Sequence, residues 1–217
     1  MKRLLSLVSF TILLSTLTAC NPISYDVRFD NVKSFDKIKK HTVVSAIDSS
    51  DRSKIERLTI DIMGLGPNID IDEARYVARE AVLYPKHLAN EYRLVGPPNF
   101  QNVLVNEGKR KRGLCYHWAQ DMTAHIGKRQ YNTLSMRRVV ANQGTFVEHN
   151  VLTVSAKGKS IKDAYILDGW RNSGKLLWMK TGEDEDYDWV QYTPQFPNRA
   201  IATPVTKTDS KKDVSVQ

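Results

Sequence analysis

The chain has 217 residues, the length of a single domain, and a hydrophobic content of 41%, enough for a normal packed core. Its formal net charge of +8 suits an anionic surface or an acidic polymer as a partner. The basic residues are spread along the chain, and the one dense run covers residues 109–112. A nucleic-acid binder needs a clustered basic surface, so we expect no nucleic acid among the partners.

The N-terminus has the organisation of a secretion signal. Lys2 and Arg3 precede an uncharged, apolar stretch over residues 4–14, which is too short to span a bilayer and long enough for a signal core. Residues 17–20 read Leu-Thr-Ala-Cys and resemble the lipobox of bacterial lipoproteins. The resemblance implies that Cys20 is lipidated and becomes the first residue of the mature protein. Without Lys2 and Arg3 the formal charge falls from +8 to +6.

The lipobox also implies a location in the bacterial cell envelope. We expect a signal peptide over residues 1–19 and a membrane anchor through the lipid on Cys20. Asn21 stands where Gram-negative lipoproteins of the inner membrane carry Asp, which favours the periplasmic face of the outer membrane. The alternative is that the apolar stretch remains attached as a short anchor helix.

The cysteine content then isolates one thiol. The chain has two cysteines, and a lipid on Cys20 leaves Cys115 without a partner for a disulfide within the chain. An unpaired thiol is a liability in an oxidising compartment, which favours a functional Cys115. The alternative is an inert, buried Cys115 that packs as a small apolar side chain.

Helical patterns dominate the first half of the chain, after a mixed stretch in which residues 42–44 favour a short strand. Ser53 and Glu56 have the spacing of a capping box and precede an apolar stripe that ends at Gly64. A second helix is predicted to start at Asp70 or Asp72, at the head of a stripe of apolar residues.

Proline and glycine interrupt this pattern further along. We expect Pro85 to end or kink the second helix, and Gly-Pro-Pro at residues 96–98 to form a rigid loop. A third helix is predicted from Leu114 to Ile126, because apolar residues recur there every fourth position and Gly127 follows.

Beyond this helix the pattern changes to that of strands. Segments rich in β-branched and aromatic residues predict strands over residues 133–141, 145–156, 164–170 and 176–179. Helices followed by strands predict an α+β domain. We divide the mature chain into a tether with the first helix over residues 20–69, a core over residues 70–205 and a disordered polar tail over residues 206–217.

Three residues form a candidate thiol active site. Cys115 begins the third helix, where free N–H groups and the helix dipole stabilise a thiolate and can bind a developing oxyanion. A thiol nucleophile needs a base, and the base needs an orienting partner. His149 lies inside a predicted strand and is the best candidate base, while Asp168 ends the next strand and is the candidate partner.

Sheet geometry limits how His149 and Asp168 can meet. In an antiparallel hairpin closed around residues 157 and 158, His149 pairs with Ile166 or, with a longer loop, with Asp168. Either register puts His149 and Asp168 on one face of the sheet, within reach of each other. A slip of one residue would put them on opposite faces.

The residues around these positions resemble the transglutaminase-like superfamily. Residues 112–119 read Arg-Gly-Leu-Cys-Tyr-His-Trp-Ala, with Gly two positions before the Cys and an aromatic residue three after it. Asn-Val follows His149, and residues 167–170 read Leu-Asp-Gly-Trp. The order Cys, His, Asp is that of the family, and the resemblance covers roughly residues 70–180. It implies a papain-like core with the nucleophile on a helix and the His and Asp on an adjacent antiparallel sheet.

The resemblance implies an acyl-transfer enzyme that needs no cofactor. Cys115 would attack an amide or ester carbonyl of a protein or peptide, His149 would transfer the proton, and Asp168 would orient the imidazole. The backbone N–H groups of Cys115 and Tyr116 would bind the oxyanion. Hydrolysis and crosslinking both stay open, because the chain lacks the flanking β-domains of the large calcium-dependent members. The alternative is a non-catalytic envelope lipoprotein that binds a peptide, a glycan or a protein.

Other polar residues near the candidate site have less specific patterns. His117 is a poor direct base, because positions i and i+2 of a helix do not face each other, and we place it around the site or on the surface. A metal site of Cys115, His117 and His149 would lack the usual zinc spacing, so we expect no metal. Residues 183–188 favour a solvated acidic loop over a calcium site. Candidate side-chain donors to the oxyanion are Gln101, Asn102 and Asn106.

Overall fold

The computed structural model describes residues 22–27 and 48–194. The expected signal peptide, Cys20, the strand over residues 42–44 and the polar tail lie outside the described residues. In the described part of the chain, no helix is long and apolar enough to cross a membrane.

Helices precede an antiparallel sheet, so the predicted α+β class is confirmed. The helices are α1 (Ser49–Met63), α2 (Ile71–Glu91), α3 (Pro98–Asn106) and α4 (Cys115–Ile126). The strands are β1 (Leu134–Ala141), β2 (His149–Ala156), β3 (Tyr165–Asp168), β4 (Leu177–Lys180) and β5 (Val190–Gln191). They form one sheet in the order β4-β3-β2-β1-β5, in which β2 is the central strand.

Two helix boundaries differ from the prediction. Helix α1 begins at Ser49 and is capped by Asp48, whose carboxylate accepts a hydrogen bond from the backbone N–H of Asp51 at 2.8 Å. Helix α2 continues through Pro85 to Glu91, so of the two outcomes expected at Pro85, an end or a kink of the helix, the end is wrong. Pro85 is buried, and tertiary packing of this side of α2 outweighs the roughly 3 kcal/mol that an internal proline costs.

The prolines after α2 start a helix where the sequence predicts a rigid loop. Pro98 is the first residue of α3, a position where proline costs no hydrogen bond and its fixed φ suits a helix. The prediction for α4 is confirmed: Leu114 is its N-cap and Gly127 its C-cap. Its inner stripe is buried, as Trp118 and Met122 are each 1% exposed.

The two faces of the sheet pack against different layers. Leu152 and Leu167 belong to the main core, which they share with the inner faces of the helices. Val151 and Ile166 point to the opposite face, where Ile161, Met179 and Trp189 pack against them. Helix α4 packs against β1 and β2, which brings its first residue, Cys115, next to the start of β2.

Candidate active site

Cys115 occupies the first turn of α4. It is half-buried, and its Sγ donates a hydrogen bond to the backbone oxygen of Glu148 at 3.5 Å. The N–H groups of Cys115 and Tyr116 lie in the first turn, where no intrahelical acceptor is available. Cys115 therefore lies beside two backbone donors and next to the strand that begins at His149.

A buried histidine holds the loop that leads into α4. His117 Nδ1 accepts hydrogen bonds from the backbone N–H groups of Gly113 and Leu114, each at 3.2 Å. Burial, together with the charge of Arg112, lowers the pKa of His117 to about 4, so the ring is neutral at pH 7 and Nδ1 can accept. His117 is 8% exposed, which excludes the surface position that the sequence left open.

Gln101 fixes the other side of this loop. Its Nε2 donates to the backbone oxygen of Arg112 at 3.0 Å, and its Oε1 accepts from Val95 N at 3.1 Å. Gly113 has a φ of +133°, and a Cβ there would lie 2.6 Å from Gln101 Cγ. Glycine is therefore required at this position, two residues before Cys115.

His149 and Asp168 form a buried pair on one face of the sheet. His149 Nε2 lies 2.7 Å from Asp168 Oδ2, and their side chains are 2% and 1% exposed. Leu152 pairs with Leu167, so the register between β2 and β3 differs from both expected registers by an even number of residues. Because an even displacement conserves the face, His149 and Asp168 become diagonal neighbours on the same side.

Backbone and side-chain donors saturate the Asp168 carboxylate. Its Oδ1 accepts from the N–H of Trp170 at 2.8 Å and that of Arg171 at 3.1 Å. Its Oδ2 also accepts from Arg171 Nε at 2.7 Å. Arg171 in turn donates to both carboxylate oxygens of Asp184, at 3.0 and 2.5 Å. The Asp168 carboxylate is therefore held in place by an arginine that lies between two aspartates.

These contacts set the charges of the pair. Burial alone lowers the pKa of His149, but the hydrogen bond to Asp168 and the interaction with Cys115 outweigh it and raise this pKa to about 9. Burial likewise opposes ionisation of Asp168, and its bonds to His149 and Arg171 overcome this and lower its pKa. At neutral pH the pair is therefore an imidazolium and a carboxylate.

The second ring nitrogen of His149 is left for the thiol. Nδ1 is buried and has no hydrogen-bond partner within the described residues. Cys115, whose Sγ contacts the carbonyl of the residue before His149, interacts with the imidazole strongly enough to contribute to its raised pKa.

Aromatic rings enclose the imidazole. The centroids of Trp170, Tyr187 and Trp189 lie 5.0, 4.8 and 5.5 Å from that of His149. Trp189 Nε1 also donates to Asp184 Oδ2 at 3.0 Å, which ties this wall to the Arg171 network. Such a wall keeps water away and strengthens the electrostatic interactions inside it.

The structure separates the three candidate oxyanion donors. The amide of Gln101 is fully buried and bonded to the backbone, so it serves the loop before α4. Asn102 Oδ1 accepts from Trp170 Nε1 at 3.3 Å, which brings Asn102 against the ring that packs on His149. Asn106 is exposed at the end of α3.

The acidic loop differs from the solvated loop that the sequence predicts. The side chain of Asp184 is 1% exposed and forms an ion pair with Arg171, while Asp186 is 77% exposed. Among the described residues, no group of three or more His, Cys, Asp or Glu side chains is arranged to hold a metal ion. Asp184 belongs to the site as the ion-pair partner of Arg171.

Four residues around His149 and Asp168 were not predicted from the sequence: Arg171, Asp184, Tyr187 and Trp189. Arg171 lies three residues after Asp168, but an arginine at that spacing is common on any turn. Comparisons with family models, with curated proteins and with solved structures found no match to this chain.

Proposed function

We propose that the protein is a thiol acyltransferase or hydrolase with a transglutaminase-like, papain-like core, in which Cys115, His149 and Asp168 act on an amide bond of a protein or peptide. One observation carries the proposal: a buried imidazole is bonded to Asp168 through Nε2, its Nδ1 has no partner among the described residues, and it interacts with a thiol at a helix N-terminus. A pure binding protein has no use for this ion pair, whose burial is costly.

The first half of the reaction forms a thioester. The reactive form is a Cys115 thiolate beside the His149 imidazolium, whose Nε2–H donates a hydrogen bond to Asp168. The Cys115 thiolate attacks the carbonyl carbon, a C–S bond forms, and the oxygen takes the electron pair of the C=O bond. The N–H groups of Cys115 and Tyr116 bind this oxyanion. The C–N bond then breaks as His149 gives its proton to the leaving amine.

The second half releases the acyl group. His149, now neutral, takes a proton from the acceptor as the acceptor attacks the thioester carbonyl. The C–S bond breaks, and the thiolate and imidazolium form again. Water as the acceptor yields a carboxylic acid, and an amine yields a new amide.

Alkylation by iodoacetamide tests the thiol–imidazole pair without knowledge of the substrate. An ordinary thiol ionises near pH 8.5, so few thiolates are present at pH 6.5. We expect Cys115 to react at pH 6.5 at least about tenfold faster in the native protein than in the His149→Ala variant. The matched control is His125→Ala, which removes an imidazole bonded to Glu80 elsewhere on α4, and it should keep the native rate. Equal rates in the native protein and His149→Ala would contradict the pair.

We also propose that the protein is held in the cell envelope by a lipid on Cys20, and the lipobox carries this proposal. In support, the chain docks on the domain soon after this position: Ile23 N donates to Leu94 O at 2.8 Å, and Tyr25 and Asn90 exchange two hydrogen bonds. The anchor would therefore keep the domain close to the membrane. Cys20→Ser should abolish incorporation of a labelled fatty acid, and a labelled variant would refute the anchor.

A further inference from the structure

Arg138 lies on the side of the sheet that faces the nucleophile helix. It is directly paired with Leu152 across β1 and β2, and residues paired in this way project from the same face. Leu152 belongs to the core between sheet and helices, against which α4 packs. The Arg138 guanidinium is within electrostatic reach of Cys115 and Tyr116, the first two residues of α4.

Contacts on two sides fix the Arg138 guanidinium. Its Nε and Nη2 donate to Asn150 Oδ1 at 3.1 and 2.7 Å, and its carbon lies 4.0 Å from the centre of the Tyr192 ring. Asn150 is held in turn, because its Nδ2 donates to Glu148 Oε1 at 2.8 Å. The backbone oxygen of Glu148 is the acceptor for Cys115 Sγ. One continuous set of contacts therefore connects Arg138 to the nucleophile.

The charge of Arg138 lacks a direct counter-ion in the part of the chain that the structure describes. Among the described residues, no carboxylate lies within 4.0 Å of it, whereas Arg112 and Arg171 each bind an aspartate through two nitrogens. Glu148 is near, but its carboxylate is occupied by Gly144 N and Asn150 Nδ2. Nη1 of Arg138 makes no hydrogen bond in the described part of the chain. Burial disfavours its charge and lowers the pKa of Arg138, so a bound anion would be stabilised there.

We propose that Arg138 forms an anion subsite beside Cys115, which selects acyl substrates that carry a carboxylate close to the scissile carbonyl, such as acidic peptides. The proposal rests on Cys115 as the nucleophile of the proposed function. A fixed, planar guanidinium with a free N–H edge matches a carboxylate in shape and charge. An acidic side chain or a terminal carboxylate of the acyl donor would provide the anion.

Two alkylating reagents that differ in one charge test this subsite. Iodoacetate carries a carboxylate next to its reactive carbon, and iodoacetamide carries a neutral amide of similar size. We expect Arg138→Gln to lower the ratio of the two rate constants at Cys115, iodoacetate over iodoacetamide, by about tenfold, because a positive charge that interacts with Cys115 is lost. Arg138→Lys should conserve most of the ratio, and added salt should lower the ratio in the native protein.

Arg137→Gln is the matched control. Arg137 is the neighbouring residue of β1 and points to the opposite face, where Nη2 donates to Ser155 Oγ at 2.7 Å, so its loss should leave the ratio unchanged. The subsite would be overturned if Arg138→Gln left the ratio unchanged. An equal fall of both rate constants would count as such an unchanged ratio. If Arg138→Gln does not fold, a ratio that is insensitive to salt in the native protein would overturn it. A failure of the proposed thiol–imidazole pair would be detected separately, by comparing the iodoacetamide rates of His149→Ala and the native protein.

Discussion

Replacing His149 with alanine is expected to slow the acylation of Cys115 by p-nitrophenyl acetate by a factor of about 10²–10⁴, the usual contribution of a positioned acid–base group. The loss has two sources in the structure. The imidazolium that stabilises the thiolate disappears, and Asp168 loses the partner that its Oδ2 binds at 2.7 Å. The measurement is the initial burst of p-nitrophenol, followed by stopped-flow absorbance.

Asp168 should contribute through His149 and not independently. Asp168→Asn keeps the shape of the side chain and an acceptor for the N–H groups of Trp170 and Arg171, but it removes the charge that raises the pKa of His149. We expect a smaller loss than in His149→Ala, because an orienting group takes no proton itself. The double variant should be little slower than His149→Ala, since nothing remains to be oriented. Losses that multiply in the double variant would show that the two residues act separately.

Stability should be greatest near pH 6.5 and fall on both sides, because two buried histidines have pKa values that are shifted in opposite directions. The pKa of His149 rises to about 9, so between pH 6.5 and 9 the folded protein holds a proton that the unfolded chain releases. The free energy of unfolding therefore falls as pH rises through this window. The pKa of His117 falls to about 4, so between pH 6.5 and 4 the unfolded chain binds a proton that the folded protein excludes. On each side of pH 6.5, which we call the acid limb and the basic limb, the free energy of unfolding should fall by something on the order of 2 kcal/mol.

Urea unfolding at pH 5, 6.5 and 9 measures both limbs. His149→Gln should remove the loss of stability between pH 6.5 and 9 and leave the acid limb, and His117→Gln should do the reverse. Each variant is therefore the control for the other. A basic limb that persists in His149→Gln would show that the imidazole is not protonated in the folded protein at neutral pH.

The pair of His149 and Asp168 was predictable because strand geometry repeats every two residues. Any even displacement of the register keeps both side chains on one face, so their proximity did not depend on the length of the loop. The register itself was not predictable. After the turn at residues 157 and 158, the chain forms a short 3₁₀ helix (Ile161–Asp163), whose Ile161 oxygen accepts from Thr181 Oγ1 at 2.7 Å. That contact comes from a distant part of the chain.

The support of Asp168 also depends on long-range contacts. The acidic run at residues 183–186 contains four carboxylates in a row, and nothing local indicates that Asp184 is the buried one. Its burial follows from the return of the chain after β4, which puts it next to Arg171. The length of helix α2 differs from the prediction for the same kind of reason. Local sequence preference disfavours a helix that continues through Pro85, and tertiary packing overrides this preference.

The position of Cys115 at the start of a helix was the most local feature, and the sequence predicted it correctly. The apolar stripe of α4, its Gly127 stop and Cys115 at its start follow from spacing alone. The conformation of the loop before the helix could not be predicted from spacing. The hydrogen bonds that Gly113 and Leu114 donate to His117 Nδ1 require a neutral, buried imidazole.

The most direct test of the account is the mass of the protein after brief reaction with p-nitrophenyl acetate, with the modified residue located by peptide mapping. We predict one acetyl group on Cys115, which is lost with time as water hydrolyses the thioester, and no such adduct in Cys115→Ala. An adduct at another residue, or a native protein that acquires no acetyl group on Cys115, would contradict the assignment of Cys115 as an acyl-transfer nucleophile.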